Sequence, residues 1–288
     1  HFIAFYERKI KKTLDDYGFK GGKVLVGVSG GKDSMALIYA LKRLQNDLNI
    51  DLYAVHIDLG IHEYSEKSKK IVSSFLSDLG IEFEIINVRR FINASIPKVV
   101  QTSRRPACAI CGLIKRYILN SIAYENDYDY IATGHNLDDV STYLLKAFLT
   151  HRSEDILRAP TPVSPPKKEY KLVGRLRPQL FLSERENQLY CELNQTPYID
   201  DPCPLSSGAS LFKYKLLWTK ILETNPVSQI NFVKTVFETR EKIDESVQKL
   251  DFCKYCGYPT TSDDKICAIC RIKLRVNKLK IKTDNRKH

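Results

Sequence analysis

Serine, glycine, lysine and aspartate meet in one short stretch of this sequence, Ser29-Gly30-Gly31-Lys32-Asp33-Ser34. It lies between a β-branched run, Lys23–Val28, and a stretch of helical periodicity, Met35–Leu44. Adjacent glycines let successive backbone N–H groups turn toward one point, and a following helix adds its unpaired N–H groups and partial positive charge. Ser29 and Ser34 add hydroxyl donors, and Asp33 is placed to hold Mg²⁺ against phosphate oxygens. The spacing is neither Gly-x-x-x-x-Gly-Lys-Ser/Thr nor Gly-x-Gly-x-x-Gly. The expected ligand is a pyrophosphate group.

Cysteine is the second chemical resource: Cys108, Cys111, Cys191, Cys203, Cys253, Cys256, Cys267 and Cys270. Three Cys-x-x-Cys pairs, in a chain whose first residues lack the order of a signal peptide, point to metal or redox chemistry in a reducing compartment. Cys253, Cys256, Cys267 and Cys270 form two knuckles ten residues apart, with Gly257-Tyr258-Pro259 as the turn between. Such a set closes a tetrahedral Zn²⁺ site with no open position. Cys108 and Cys111 sit before or at the start of a helix, a place that favours the thiolate. That pair is a redox dithiol, half a zinc site or part of an iron–sulfur site, and Cys203, between two prolines, is its natural third member. Cys191 falls within a predicted helix and reads as a buried small hydrophobe.

These residues need a scaffold that brings them together. Helical periodicity is expected over residues 4–17, 35–44, 65–79, 113–124 and 138–148, and strands over 23–28, 52–57, 83–88 and 130–133. Alternating strands and helices argue an α/β fold, an open parallel sheet with helices on both faces. Ligands in such sheets sit at the carboxyl ends of the strands, where Ser29–Ser34, His56–Asp58 and Gly134–Asp139 would converge on one crevice. Beyond residue 150, an exposed loop is expected at 159–168 and helices at 183–193, 211–223 and 232–250. Asp201-Pro202-Cys203-Pro204 cannot be helical.

The net charge is +11, with 43% hydrophobic and 27% charged residues, and this basic balance suits a polyanionic partner such as RNA. No apolar run approaches the roughly 18 residues of a membrane span. A cytoplasmic protein is expected.

Val26-Gly27-Val28-Ser29-Gly30-Gly31-Lys32-Asp33-Ser34 resembles the PP-loop of the N-type ATP pyrophosphatases. Those enzymes transfer AMP to a carbonyl oxygen, release pyrophosphate and let a nucleophile displace AMP. The resemblance implies that His56, Ile57 and Gly134 border the adenosine. Cys-x-x-Cys with a distant Cys, within Arg104–Arg116 and Ala132–Asp139, is similar to the tRNA 2-thiolation enzymes of the TtcA and TtuA groups. It implies a [4Fe–4S] cluster on Cys108, Cys111 and Cys203 with one iron open to carry sulfide, a persulfide on one of these cysteines being the alternative. Lys115 would contact ATP phosphate or stabilise charge on the adenylated base. Asp139 would orient substrate, Mg²⁺ or a proton transfer, while Asp138 stands where a helix N-cap is expected.

The C-terminal cysteine set is similar to the zinc ribbon of the TtuA group and the cytosolic tRNA uridine thiolases. In that group a second ribbon precedes an N-terminal amphipathic helix, so His1 would be its last zinc ligand, although its three cysteines do not occur in this sequence. The expected organisation is an N-terminal helix over 1–20, a PP-loop catalytic domain over 21–250, a zinc ribbon over 251–273 and a mobile basic tail over 274–288. The resemblance further implies a tRNA substrate, 2-thiouridine as product, a thiocarboxylated ubiquitin-like carrier or inorganic sulfide as sulfur donor, and a homodimer. Arg104, Arg105, Lys167, Lys168 and the stretch from Arg271 onward are the expected sites of RNA contact. Both uridine 54 and wobble uridine 34 fit these motifs. Two other readings compete: a PP-loop tRNA enzyme of 2-thiocytidine or lysidine type, and a non-catalytic zinc-containing RNA-binding protein with a regulatory ATP site.

Overall fold

The computed structural model describes residues 1–206, 211–241 and 250–284. The β-branched runs become strands and the periodic stretches become helices, in the order α1 (Phe2–Asp16), β1 (Gly22–Gly27), α2 (Lys32–Arg43), β2 (Ile50–Asp58), α3 (His62–Asp78), β3 (Glu82–Asn87), α4 (Arg89–Ile92), α5 (Ile96–Gln101), α6 (Ala107–Glu125), β4 (Tyr130–Ala132) and α7 (Leu137–Leu149). The second half adds α8 (Ser153–Leu157), β5 (Val163–Ser164), β6 (Gly174–Leu176), α9 (Glu184–Leu193), α10 (Leu211–Thr224), α11 (Ser228–Glu241), β7 (Asp251–Phe252), β8 (Pro259–Thr260) and α12 (Ala268–Asp284).

Six strands form one sheet in the order β3-β2-β1-β4-β6-β5, and only β5 runs antiparallel to its neighbour. The chain winds outward from β1 to β3 and returns to the other side of β1 at β4. That reversal opens a crevice at the carboxyl ends of β1 and β4. Side chains alternate between faces: Val24, Val26, Ala54, Ala132 and Leu176 pack with α1, α2, α3 and α9, whereas Leu25, Val55, Ile131 and Val173 pack with α4, α5 and α6. A third core joins α7 to α11 through Leu137, Val140, Leu144, Val233, Val236 and Phe237.

Three sequence expectations change. The loop expected at 159–168 holds β5, which pairs with an unforeseen strand, β6; two and three residues are too few for periodicity to register. The helix expected at 232–250 begins earlier, at Ser228, and residues 242–249 lie outside those described. The tail expected to be mobile is helical through Asp284, because α12 begins inside the cysteine module and continues from it; residues 285–288 lie outside those described. Among the described residues no helix is long and apolar enough to cross a membrane.

Candidate functional site

The loop from Ser29 to Gly31 leaves β1 and enters α2, with Gly31 as the helix N-cap. Gly30 has φ +87°, and a Cβ there would stand 2.9 Å from the Ser68 hydroxyl, so both backbone and space demand glycine. Ser34 Oγ accepts the Ser29 N–H at 3.0 Å and donates to Gly31 O at 3.0 Å, while Ser68 donates to Ser29 O at 2.8 Å. The loop is thus held from three sides. Gly134 closes against it: a Cβ there would lie 2.9 Å from the backbone of Asp33.

Asp33 is oriented by long-range hydrogen bonds that the local sequence does not reveal. Its Oδ1 accepts from Asn187 at 2.8 Å and Asn136 at 3.1 Å, and its Oδ2 from Lys32 at 3.2 Å. Gln179 donates to Asp33 O at 3.1 Å and to Tyr6 Oη at 2.8 Å, and Tyr6 donates to Asn187 at 2.7 Å. A buried network therefore runs from α1 through α9 to the phosphate loop. Lys32 is engaged by Asp33 and by Glu184 at 3.7 Å. Burial disfavours its charge, but these carboxylates outweigh that and raise its pKa. Gly30, Gly31 and Lys32 stand behind the cavity wall rather than on it.

A cavity of about 460 Å³ opens at the crevice. Ser29, Asp33 and Ser34 line it from the loop, His56 and Ile57 from β2, Gly134 and Asp139 from beyond β4, Lys115, Cys108 and Cys111 from α6, and Cys203 from the segment after α9. All three strand ends expected to converge do so. His56 binds Val28 O through Nδ1 at 2.9 Å, and its Nε2 has no partner among the described residues. Since the carbonyl accepts only from N–H, Nε2 is an acceptor facing no protein donor. Burial lowers the His56 pKa and keeps the ring neutral.

Cys203 reaches the cavity because its segment is tied to the loop and to α3: Ile199 N–H donates to Gly30 O at 2.8 Å, and Lys67 pairs with Asp201. Cys108 is exposed, Cys111 and Cys203 are half-buried, and none is in a disulfide. Burial pushes the Cys111 thiol up, against the pull of Lys115. At Cys111 this departs from the expected helix-favoured thiolate, because Cys111 is the fifth residue of α6, past the turn over which the helix terminus acts. Tyr64 of α3 faces the same cavity and was not foreseen. Three free thiols of mixed exposure around one cavity are a donor set that fits an iron–sulfur cluster.

Asp139 opens to the cavity yet is walled by protein elsewhere, and that burial, with Asp33 close by, pushes its pKa up to about 7. It also closes the N-terminus of α7, where Asn136 and Asp139 exchange backbone and side-chain hydrogen bonds. The N-cap is thus Asn136, and Asp138 instead accepts the Glu184 N–H at 2.7 Å, fixing α9 against α7. Ser183 and Glu186 form the matching box on α9, a Ser-x-x-Glu signal legible in the sequence. Cys191 is fully buried, as expected.

In the C-terminal module the sulfurs of Cys253, Cys256, Cys267 and Cys270 all lie within 4.8 Å of one another. Backbone N–H groups of Cys267 and Cys270 point at the Cys253 and Cys267 sulfurs at 3.3 and 3.4 Å. The set fits a single tetrahedral ion. The module packs on α6, with Tyr258 edge-on to Tyr117 at 5.4 Å. His1 is exposed at the start of α1 and joins no metal-ligating group among the described residues. Arg104, Arg105, Lys167 and Lys168 are exposed, whereas Arg271 is paired with Asp264 at 2.5 Å.

The family model for the PP-loop domain matches residues 4–208. A tRNA-5-methyluridine(54) 2-sulfurtransferase of Thermotoga maritima is 34% identical over 98% of this chain and 91% of its own length. The enzyme of the same name from Pyrococcus horikoshii is 34% identical over 94% of this chain and 85% of its own. Among solved structures, the U34-tRNA thiolase NcsA of Methanococcus maripaludis with its [4Fe–4S] cluster superposes with a TM-score of 0.81 at 27% identity, covering 96% of this chain and 88% of that one.

Proposed function

The chain belongs to the PP-loop domain family and to its tRNA 2-thiolation branch, and on that premise we propose that it is an ATP-dependent tRNA 2-sulfurtransferase acting on a uridine. The observation that carries this reading is the single cavity bordered by both the PP-loop and three free thiols. The higher identity to enzymes named for 5-methyluridine 54 than to the U34 thiolase supports position 54 as the target.

ATP lies with its pyrophosphate against the Ser29–Ser34 loop and Mg²⁺ on Asp33, its adenosine bordered by His56, Ile57 and Gly134. The C2 oxygen of the uridine attacks the α-phosphorus; a phosphorus–oxygen bond forms and pyrophosphate leaves. Bonding O2 to phosphorus requires loss of the N3 proton, and Asp139, with a pKa near 7, is matched to accept it. Lys115 offers positive charge to the developing adenylate. A sulfur nucleophile then adds at C2 and AMP departs with its oxygen. When bound by Cys108, Cys111 and Cys203, a [4Fe–4S] cluster supplies an iron lacking a fourth protein thiolate, at which sulfide can be carried.

Zn²⁺ in the Cys253, Cys256, Cys267 and Cys270 set is a structural ion in this reading. The sulfur donor is a thiocarboxylated ubiquitin-like carrier or inorganic sulfide, and the protein works in the cytoplasm. Exposed Leu211, Phe212, Leu216, Leu217 and Ile221 on α10 support a homodimer. The test is nucleoside mass spectrometry of tRNA incubated with ATP, sulfide and anaerobically purified protein. A 2-thio nucleoside at position 54 that requires both ATP and iron is expected. Thiolation by iron-free protein, or ATP cleavage without thiolation of any tRNA, overturns the proposal.

A further inference from the structure

A group of cations beside the cavity has no counter-charge among the described residues. Arg175 is the middle residue of β6, on the sheet face turned to α6 that takes Ile131 and Val173, and Arg177, one residue past the strand, reaches Ser164, which stands opposite Arg175. On α6, Gly112, Arg116 and Asn120 recur every four residues and make one stripe toward them. Asn120 Oδ1 accepts from Arg175 at 3.5 Å, and Arg177 donates to Thr161 O at 2.7 Å and to Ser164 Oγ at 3.3 Å. No carboxylate pairs with Arg116, Arg175 or Arg177 among the described residues, although other arginines here find one. Burial and mutual repulsion bring Arg175 and Arg177 down to about 10, and burial with the same guanidiniums holds the neighbouring His135 down to about 4. Arg116, His135 and Lys115 line the cavity.

Unpaired, partly buried like charges are costly, and they are kept where a ligand of opposite charge completes them. We propose that Arg116, Arg175 and Arg177 form an anion subsite that takes a phosphodiester of the RNA strand next to the base held in the cavity. The inference rests on the tRNA reading above. ATP has its own phosphate cradle, and the subsite lies beyond β4 from it, since β4 separates β6 from β1 in the sheet. A base turned out of its stack brings its flanking phosphates to the rim of the pocket, and guanidinium forks match phosphate oxygens in pairs.

The test is tRNA affinity as a function of salt for the full-length protein and for Arg116→Gln, Arg177→Gln and the Arg175→Gln/Arg177→Gln pair, with ATP affinity measured in parallel. The pair should weaken tRNA binding about tenfold or more, with ATP affinity unchanged. It should also flatten the slope of log affinity against log salt by roughly 0.7–0.9 for each phosphate no longer neutralised. Exposed Arg116→Gln should do the same to a smaller degree and serves as the variant that cannot fail through folding. Unchanged tRNA affinity and slope in all variants overturns the subsite, as does a loss confined to ATP or to turnover with a carrier protein. Failure of the unsubstituted protein to bind tRNA at all overturns the tRNA reading instead.

Discussion

The two cysteine sites are built from the same Cys-x-x-Cys unit and differ in closure. Near the C-terminus two units face each other, their four sulfurs draw within 4.8 Å, and three of the four residues are buried. At the cavity one unit faces a lone Cys203, with Cys108 exposed and part of the wall made by nucleotide-loop and β2 residues. A full set of protein ligands leaves a metal nothing to do but hold chain together, whereas an incomplete set leaves a place for chemistry. Ligand count, not motif, separates structure from reaction.

The sharpest way to break this contrast is to remove one thiol from each site. Cys203→Ala should abolish tRNA thiolation, by more than the roughly 10–100-fold typical of groups that only support a ligand, and lower bound iron while leaving Tm within about 2 °C. Cys267→Ser should instead lower Tm by roughly 10 °C and abolish bound zinc, because ligation there is folding energy. If Cys203→Ala unfolds the protein, or if Cys267→Ser loses iron but not Tm, the assignment of roles is reversed. Calorimetry and metal analysis of both variants decide.

Smaller effects test how the open site is ordered without a closed metal cage. Asn187→Ala removes a donor to Asp33 that does not line the cavity and should weaken ATP binding about tenfold, the value of a charge-assisted hydrogen bond, with iron content unchanged. The smallest effect concerns pH. Asp139 has a folded pKa near 7, above its ordinary carboxylate value, so its ionisation destabilises the fold as pH rises from about 4 to 7. Asp139→Asn should therefore raise Tm at a pH of about 8 and show no gain at about 4.5, while slowing adenylation most at high pH. A gain in Tm that is equal at both pH values would show that the carboxylate is not held near neutrality.

Much of this was legible in the residues. Val24-Leu25-Val26 before the paired glycines marked a strand and a phosphate loop, and the Cys-x-x-Cys spacings pointed to both groups of cysteines. The convergence of Ser29, His56 and Gly134 followed from the parallel topology alone. What stayed hidden depends on partners across long sequence separations. Asn187, Gln179 and Tyr6 look like ordinary polar or helical residues until the fold brings them to Asp33. Arg175 and Arg177 read as scattered basic residues because a three-residue strand that holds one and ends just before the other has no detectable period. Cys111 misled, since proximity to a helix start is a local argument and burial is a tertiary one.

The hydrogen bond from Ile199 to Gly30 has a consequence for how the two sides of the cavity are joined. It makes the stretch of chain that delivers the third thiol an extension of the phosphate loop, so any tightening of that loop around pyrophosphate is felt four residues before Cys203. The sulfur side of the cavity is thereby anchored through one backbone hydrogen bond to the nucleotide side.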